Sequence, residues 1–132
     1  MRVRGFSLIE LMVVIGVIAI INIVMMPSFT SLQRSAKQLS AKSSARQIMV
    51  LLEQYYFMNQ RYPDGDMVSI SMIISDLNQL GLISSDPINP YTGRPYSLAD
   101  TSGQLLYSKQ GSNAYRLVGY GEDNQSVVFE YP

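Results

Sequence analysis

Residues 6–29 read FSLIELMVVIGVIAIINIVMMPSF, and this stretch decides the architecture. It is apolar except at Ser7, Glu10, Gly16, Asn22, Pro27 and Ser28, and it slightly exceeds the roughly 20 helical residues needed to cross a hydrocarbon core. A secretory signal peptide is the competing reading. Arg2 and Arg4 suit its charged region, but the apolar run is longer than the usual 7–15 residues and no A-x-A site follows it. The stretch therefore predicts a membrane-spanning helix. Glu10 is its one carboxylate, and such a group costs on the order of 2–3 kcal/mol if it lies deep in lipid without a partner. No Lys or Arg stands one turn away within the segment, so Glu10 either snorkels to the headgroups or pairs with another chain.

The rest of the composition narrows the function by exclusion. The chain has 132 residues with no His and no Cys. It can build neither a Ser-His-Asp nor a Cys-His nucleophile, and neither a disulfide nor a thiolate metal site. The remaining carboxylates, Lys, Tyr and Ser/Thr form no recognisable catalytic motif, so an enzyme is not expected. Residues 1–62 carry seven Lys or Arg against Glu10 and Glu53, whereas residues 63–132 carry three against eight acids. A basic first half and an acidic second half suit orientation of one copy against another, or simply solvated charge on both. The basic residues have no interleaved aromatics, so nucleic-acid binding is not indicated. Counted alone, Arg34, Lys37, Lys42 and Arg46 after the apolar run outweigh Arg2 and Arg4 before it, which puts the C-terminal part in the cytoplasm.

Gly5-Phe6-Ser7-Leu8-Ile9-Glu10-Leu11-Met12-Val13-Val14-Ile15 closely resembles the prepilin N-terminal signature: a short basic leader ending in Gly, then Phe, Ser or Thr, two aliphatics, Glu and a long apolar helix. Type IV pilins and the pseudopilins of type II secretion and competence share it. The resemblance implies cleavage between Gly5 and Phe6 by a prepilin peptidase, N-methylation of Phe6, and a role for Glu10 in assembly. It also implies the opposite orientation to the bare charge count, with the leader cytoplasmic and the head outside. The expected precursor is a single-pass inner-membrane protein, later a periplasmic or cell-surface filament subunit. Expected partners are further copies in a helical filament, the peptidase, an inner-membrane assembly platform with its ATPase, and minor pilins or pseudopilins. A cut there has a physical consequence, because it gives Phe6 a free amine that Glu10 of a neighbouring copy can meet only when subunits stack in register. Pro27 resembles the proline that bends or partly melts the long helix in many relatives. A mid-helix proline also removes one hydrogen bond at a cost of about 3 kcal/mol, so a kink is expected on chemistry alone.

Beyond the membrane segment a helical period continues to about Tyr62. Leu32, Ala36 and Leu39, then Ile48, Leu52, Tyr55, Asn59 and Tyr62, make a largely apolar stripe, and Pro63 supplies the stop. The Tyr55-Tyr56-Phe57 cluster reads as core packing rather than electron transfer. Ile70, Ile73, Ile74, Leu77 and Leu80 mark a short amphipathic helix capped by Ser69 and ended by Gly81. Runs 104–108, 114–119 and 126–131 read as strands of an antiparallel meander, separated by turn clusters at 111–113 and 121–124.

These elements predict an α+β pilin fold, a long helix packed against a small antiparallel sheet. Its parts are a leader (1–5), a transmembrane and assembly helix (6–29), its amphipathic continuation (30–62) and a head (63–132).

Asp86-Pro87-Ile88-Asn89-Pro90-Tyr91-Thr92-Gly93-Arg94-Pro95-Tyr96 resembles the Pro-Tyr segment of major pseudopilins, with Asn89 where those proteins have Asp. Together with the missing cysteines this leans towards a pseudopilin over an extended pilus subunit. A monomeric signal-anchored binding module is the remaining alternative. No cofactor is expected. Such pseudopilins often bind calcium in C-terminal loops, and Glu122, Asp123 and Asn124 are the candidates here, although a plain hairpin turn suits their spacing better.

Overall fold

Helix α1 occupies Leu8–Asn59 and is continuous through position 27. A computed structural model describes residues 6–132 of the chain. Two compact units divide it, the first ending at Ala36 and the second running Lys37–Pro132. The first contains the apolar segment, whose most apolar window is wholly uncovered within the chain.

In the second unit one face of α1 is built from Ala41, Ala45, Ile48 and Leu52, all buried. Their 4-3-4 spacing keeps them on one side of the helix, and the two alanines leave room for close approach. This corrects the sequence-derived stripe. Ile48 and Leu52 belong to the core, but Leu32, Leu39 and Asn59 are exposed. Phe57, expected in the core with its tyrosine neighbours, is 81% exposed, while Tyr55 and Tyr56 pack against the core.

Strand β1 (Val68–Ser69) leads directly into α2 (Ile70–Gln79). The Ser69 side chain accepts from the Ser71 N–H, and Ile70, Ile73, Ile74 and Leu77 are buried. At the other end Leu82 N donates to Leu77 O and Gly81 N to Asn78 O, with Gly81 at φ +72°. These are the two bonds of a glycine-terminated helix end. Leu80 falls at the cap and is exposed, so it leaves the apolar face assigned to it from spacing.

Strands β2 (Ile88–Asn89) and β3 (Arg94–Pro95) form a small hairpin. Strands β4 (Leu105–Gln110), β5 (Ala114–Tyr120) and β6 (Val127–Tyr131) form the expected antiparallel meander. The short β1 adds to its edge beside β4, giving the order β1-β4-β5-β6. Leu105, Tyr107, Tyr115 and Leu117 from this sheet join Ala45, Ile48 and Leu52 from α1 and the buried face of α2 in one core. The fold is thus α+β, with a long N-terminal helix packed against a small antiparallel sheet.

Tyrosines fill much of that core and use their hydroxyls at its rim. Tyr107 donates to the Pro63 carbonyl at 2.8 Å and Tyr62 to Glu53 Oε1 at 2.9 Å. The Tyr62 ring lies 4.7 Å from both Tyr56 and Tyr115. Burial, followed by the Glu53 contact, pushes the Tyr62 hydroxyl up to about 12, so it stays a neutral donor.

Candidate functional site

The N-terminal features expected to carry processing and assembly fall at the start of α1. Gly5 lies outside the described residues. Phe6 is 74% exposed, and the helix begins two residues later. The Ser7 carbonyl accepts from Glu10 N at 3.0 Å and Leu11 N at 3.2 Å, so Ser7 occupies the position before the first turn and Glu10 lies within it. Ser7-x-x-Glu10 has the spacing of a helix-capping pair, a signal legible in the sequence that the membrane reading passed over. A carboxylate here is favoured by the partial positive charge of the helix N-terminus. Among the described residues Glu10 has no ion-pair partner.

Leu8, Ile9, Leu11, Met12 and the aliphatics after them are all exposed. This segment is long and apolar enough to cross a membrane. Pro27 lies within it, inside continuous helix.

In the second unit, the 121–126 turn uses its polar groups on itself. Asp123 Oδ1 accepts from Gln125 N (3.1 Å), Ser126 N (3.1 Å) and Ser126 Oγ (2.8 Å). Those bonds, the Ser126 backbone N–H first, hold the Asp123 carboxyl down at about 2. Asn124 takes φ +51°, and its Oδ1 accepts from Gln104 N at 2.9 Å. Glu122 meets Lys37 at 3.8 Å, and Lys37 also stands 6.0 Å from the Tyr91 ring centroid. The Asp123 and Asn124 side chains thus accept from backbone groups of the turn and of Gln104, and Glu122 faces Lys37 of α1. Among the described residues no three acidic side chains gather as metal ligands.

The segment 86–103 holds a polar cluster that sequence reading did not foresee. Asn89 is fully buried. Its Nδ2 donates to Asp100 Oδ2 (3.0 Å) and Ser102 O (2.9 Å), and its Oδ1 accepts from Tyr91 N (3.0 Å). Ser44 Oγ of α1 donates to Ile88 O at 3.1 Å, tying the segment to the helix.

Comparison with known proteins agrees with this arrangement. A family model described as the prokaryotic N-terminal methylation motif matches residues 1–25. The type II secretion system core protein G of Dickeya chrysanthemi is 27% identical over 130 residues, 98% of this chain and 77% of that protein. The type IV major pilin protein PilA of Myxococcus xanthus (strain DK1622) is 35% identical over 63 residues, 48% of this chain. The chain thus spans less than a third of that pilin, 29% of its length. No solved structure gives a significant match. The exposed apolar helix and the motif together fit a membrane-anchored precursor. The chain thus carries the prokaryotic N-terminal methylation motif at its start and is similar to a type IV pilin and to a type II secretion core protein.

Proposed function

We propose that the chain is a subunit of a type IV pilus-like filament, cleaved between Gly5 and Phe6 by a prepilin peptidase, N-methylated on Phe6 and assembled from the inner membrane. The observation that carries this reading is an apolar helix with no cover inside the chain and a carboxylate, Glu10, in its first turn. Such a helix needs lipid or other copies around it, and its carboxylate needs a cation that other copies would supply. Further copies, the assembly platform with its ATPase, and minor subunits are the partners of this reading. The filament would lie in the periplasm or at the cell surface.

Within it, a secretion pseudopilin is favoured over an extended pilus. The similarity to a secretion core protein runs through the head as well as the helix, whereas the similarity to the major pilin spans about half the chain.

The mass and N-terminal residue of the membrane-extracted protein test the reading. A mature chain beginning with methylated Phe6 is expected, and Gly5→Leu should leave the precursor intact because a bulky side chain then occupies the scissile bond. A chain still beginning at Met1 in cells with an active prepilin peptidase would overturn it. Loss of secretion rather than of surface fibres on deleting the gene is the result expected of a pseudopilin.

A further inference from the structure

One carboxamide lies in the middle of the apolar segment. Asn22 Nδ2 donates to the carbonyl of Ile18, one turn back on the same helix, at 2.7 Å. That bond uses one of two N–H groups, and among the described residues nothing meets the other or the Oδ1 lone pairs. Around it Ile20, Ile21, Ile23 and Val24 are all exposed and apolar. Hydrocarbon offers no hydrogen bond, and no group of its own chain meets the rest of the amide among the described residues, so a further partner must come from another helix.

We propose that Asn22 pairs with Asn22 of a second copy, so that the membrane-inserted subunits form a side-by-side dimer. The proposal rests on the membrane-anchored reading above. Two copies inserted by the same segment in the same orientation share one depth, which brings like residues face to face. The carboxamide is self-complementary, since the free N–H of each can donate to Oδ1 of the other. A single Asn in an apolar helix seam is a known means of fixing parallel, in-register pairing. Ala19 and Gly16, at the two preceding i−3 positions, leave the shoulder of this face small enough for close approach. Subunits of a helical filament are offset along its axis, so the depth-matched pair belongs to the membrane pool and has to open as a subunit enters the stack.

The absence of cysteine makes the test direct. Met26→Cys reports the Asn22 side of the helix, whereas Val24→Cys lies about 160° away from it. Full-length chains carrying either change are oxidised in membranes of cells lacking the assembly ATPase, so that filament contacts do not contribute. A disulfide dimer is expected from Met26→Cys and not from Val24→Cys. Adding Asn22→Leu should lower its yield roughly three- to tenfold, and Asn22→Gln should restore most of it. Equal crosslinking from both faces, or a yield indifferent to Asn22→Leu, overturns the pair while leaving membrane anchoring intact. Recovery of the chain in the carbonate-soluble fraction overturns the anchoring, and the pair with it.

Discussion

The side-chain nitrogen of buried Asn89 donates to the Asp100 carboxylate at 3.0 Å, and that one bond fixes what residue 89 must be. The same Asp100 oxygen accepts from Ser97 N at 3.0 Å, while Asn89 also reaches Ser102 O and receives Tyr91 N. The 86–103 segment closes around a group that is donor and acceptor at once. An aspartate, the residue found here in the pseudopilins this segment resembles, could accept from Tyr91 but donate nothing. Its charge would lie against Asp100.

Asn89→Asp is therefore expected to destabilise the full chain by about 2–3 kcal/mol, more than Asn89→Ser does. Urea unfolding of the detergent-solubilised protein measures it. An unchanged midpoint would mean that the segment has another arrangement open to it.

How far this was legible in the sequence depended on the range of the interactions. The apolar helix, α2 with both its ends, and the β4–β6 meander rest on local patterns, and the structure has them where the patterns lie. The core face of α1 was legible only in part. Its first two members are Ala41 and Ala45, which a search for large apolar residues passes over, while Leu39 and Phe57 stand exposed on the same helix. Strand β1 has two residues and exists because Val68 pairs with Tyr107 far along the chain, a contact no local period encodes. The Asn89 cluster was hidden for the same reason. A buried amide is recognisable only once Asp100 and Ser102 have been brought to it.

Gly119 faces Phe129 across the β5–β6 ladder, and a Cβ at position 119 would overlap the Phe129 ring. The aromatic ring covers the space a side chain would have taken. Gly119→Ala is expected to cost about 1–2 kcal/mol by forcing that ring aside. In a Phe129→Ala background the same change should cost far less. Thermal unfolding of the four chains closes the cycle, and additive effects would show that ring and glycine are independent.

The Asp123 turn gives a pH dependence with a definite sign. Its carboxyl is held at about 2, below the ordinary 3.8, by hydrogen bonds that exist only in the folded turn. The folded value is the lower one, so the contribution is complete above about 4 and disappears as pH falls through about 2. Amide exchange at Ser126, referenced to its intrinsic rate at each pH, should show protection falling across that window. Asp123→Asn should weaken the protection already at neutral pH and flatten the dependence. A wild-type profile that stays flat down to pH 2 would remove Asp123 from the turn's support.

Glu10 offers the sharpest separation between processing and assembly. Its carboxylate lies in the first turn of α1, four residues after the expected new terminus at Phe6. On the proposed reading, cleavage acts on the bond before Phe6 and would not need a charge one turn further on. Stacking would, because a pair between one copy's amine and another's carboxylate forms only in register. Glu10→Val should therefore be cut normally, seen as a mature-length mass in the membrane fraction, while sheared filament falls at least about tenfold, the scale of one lost desolvated pair. Glu10→Asp keeps the charge on a shorter arm and should recover part of the yield. The two readouts separate the outcomes: normal filament from the valine variant removes Glu10 from registry, whereas failure of cleavage moves its role to the peptidase.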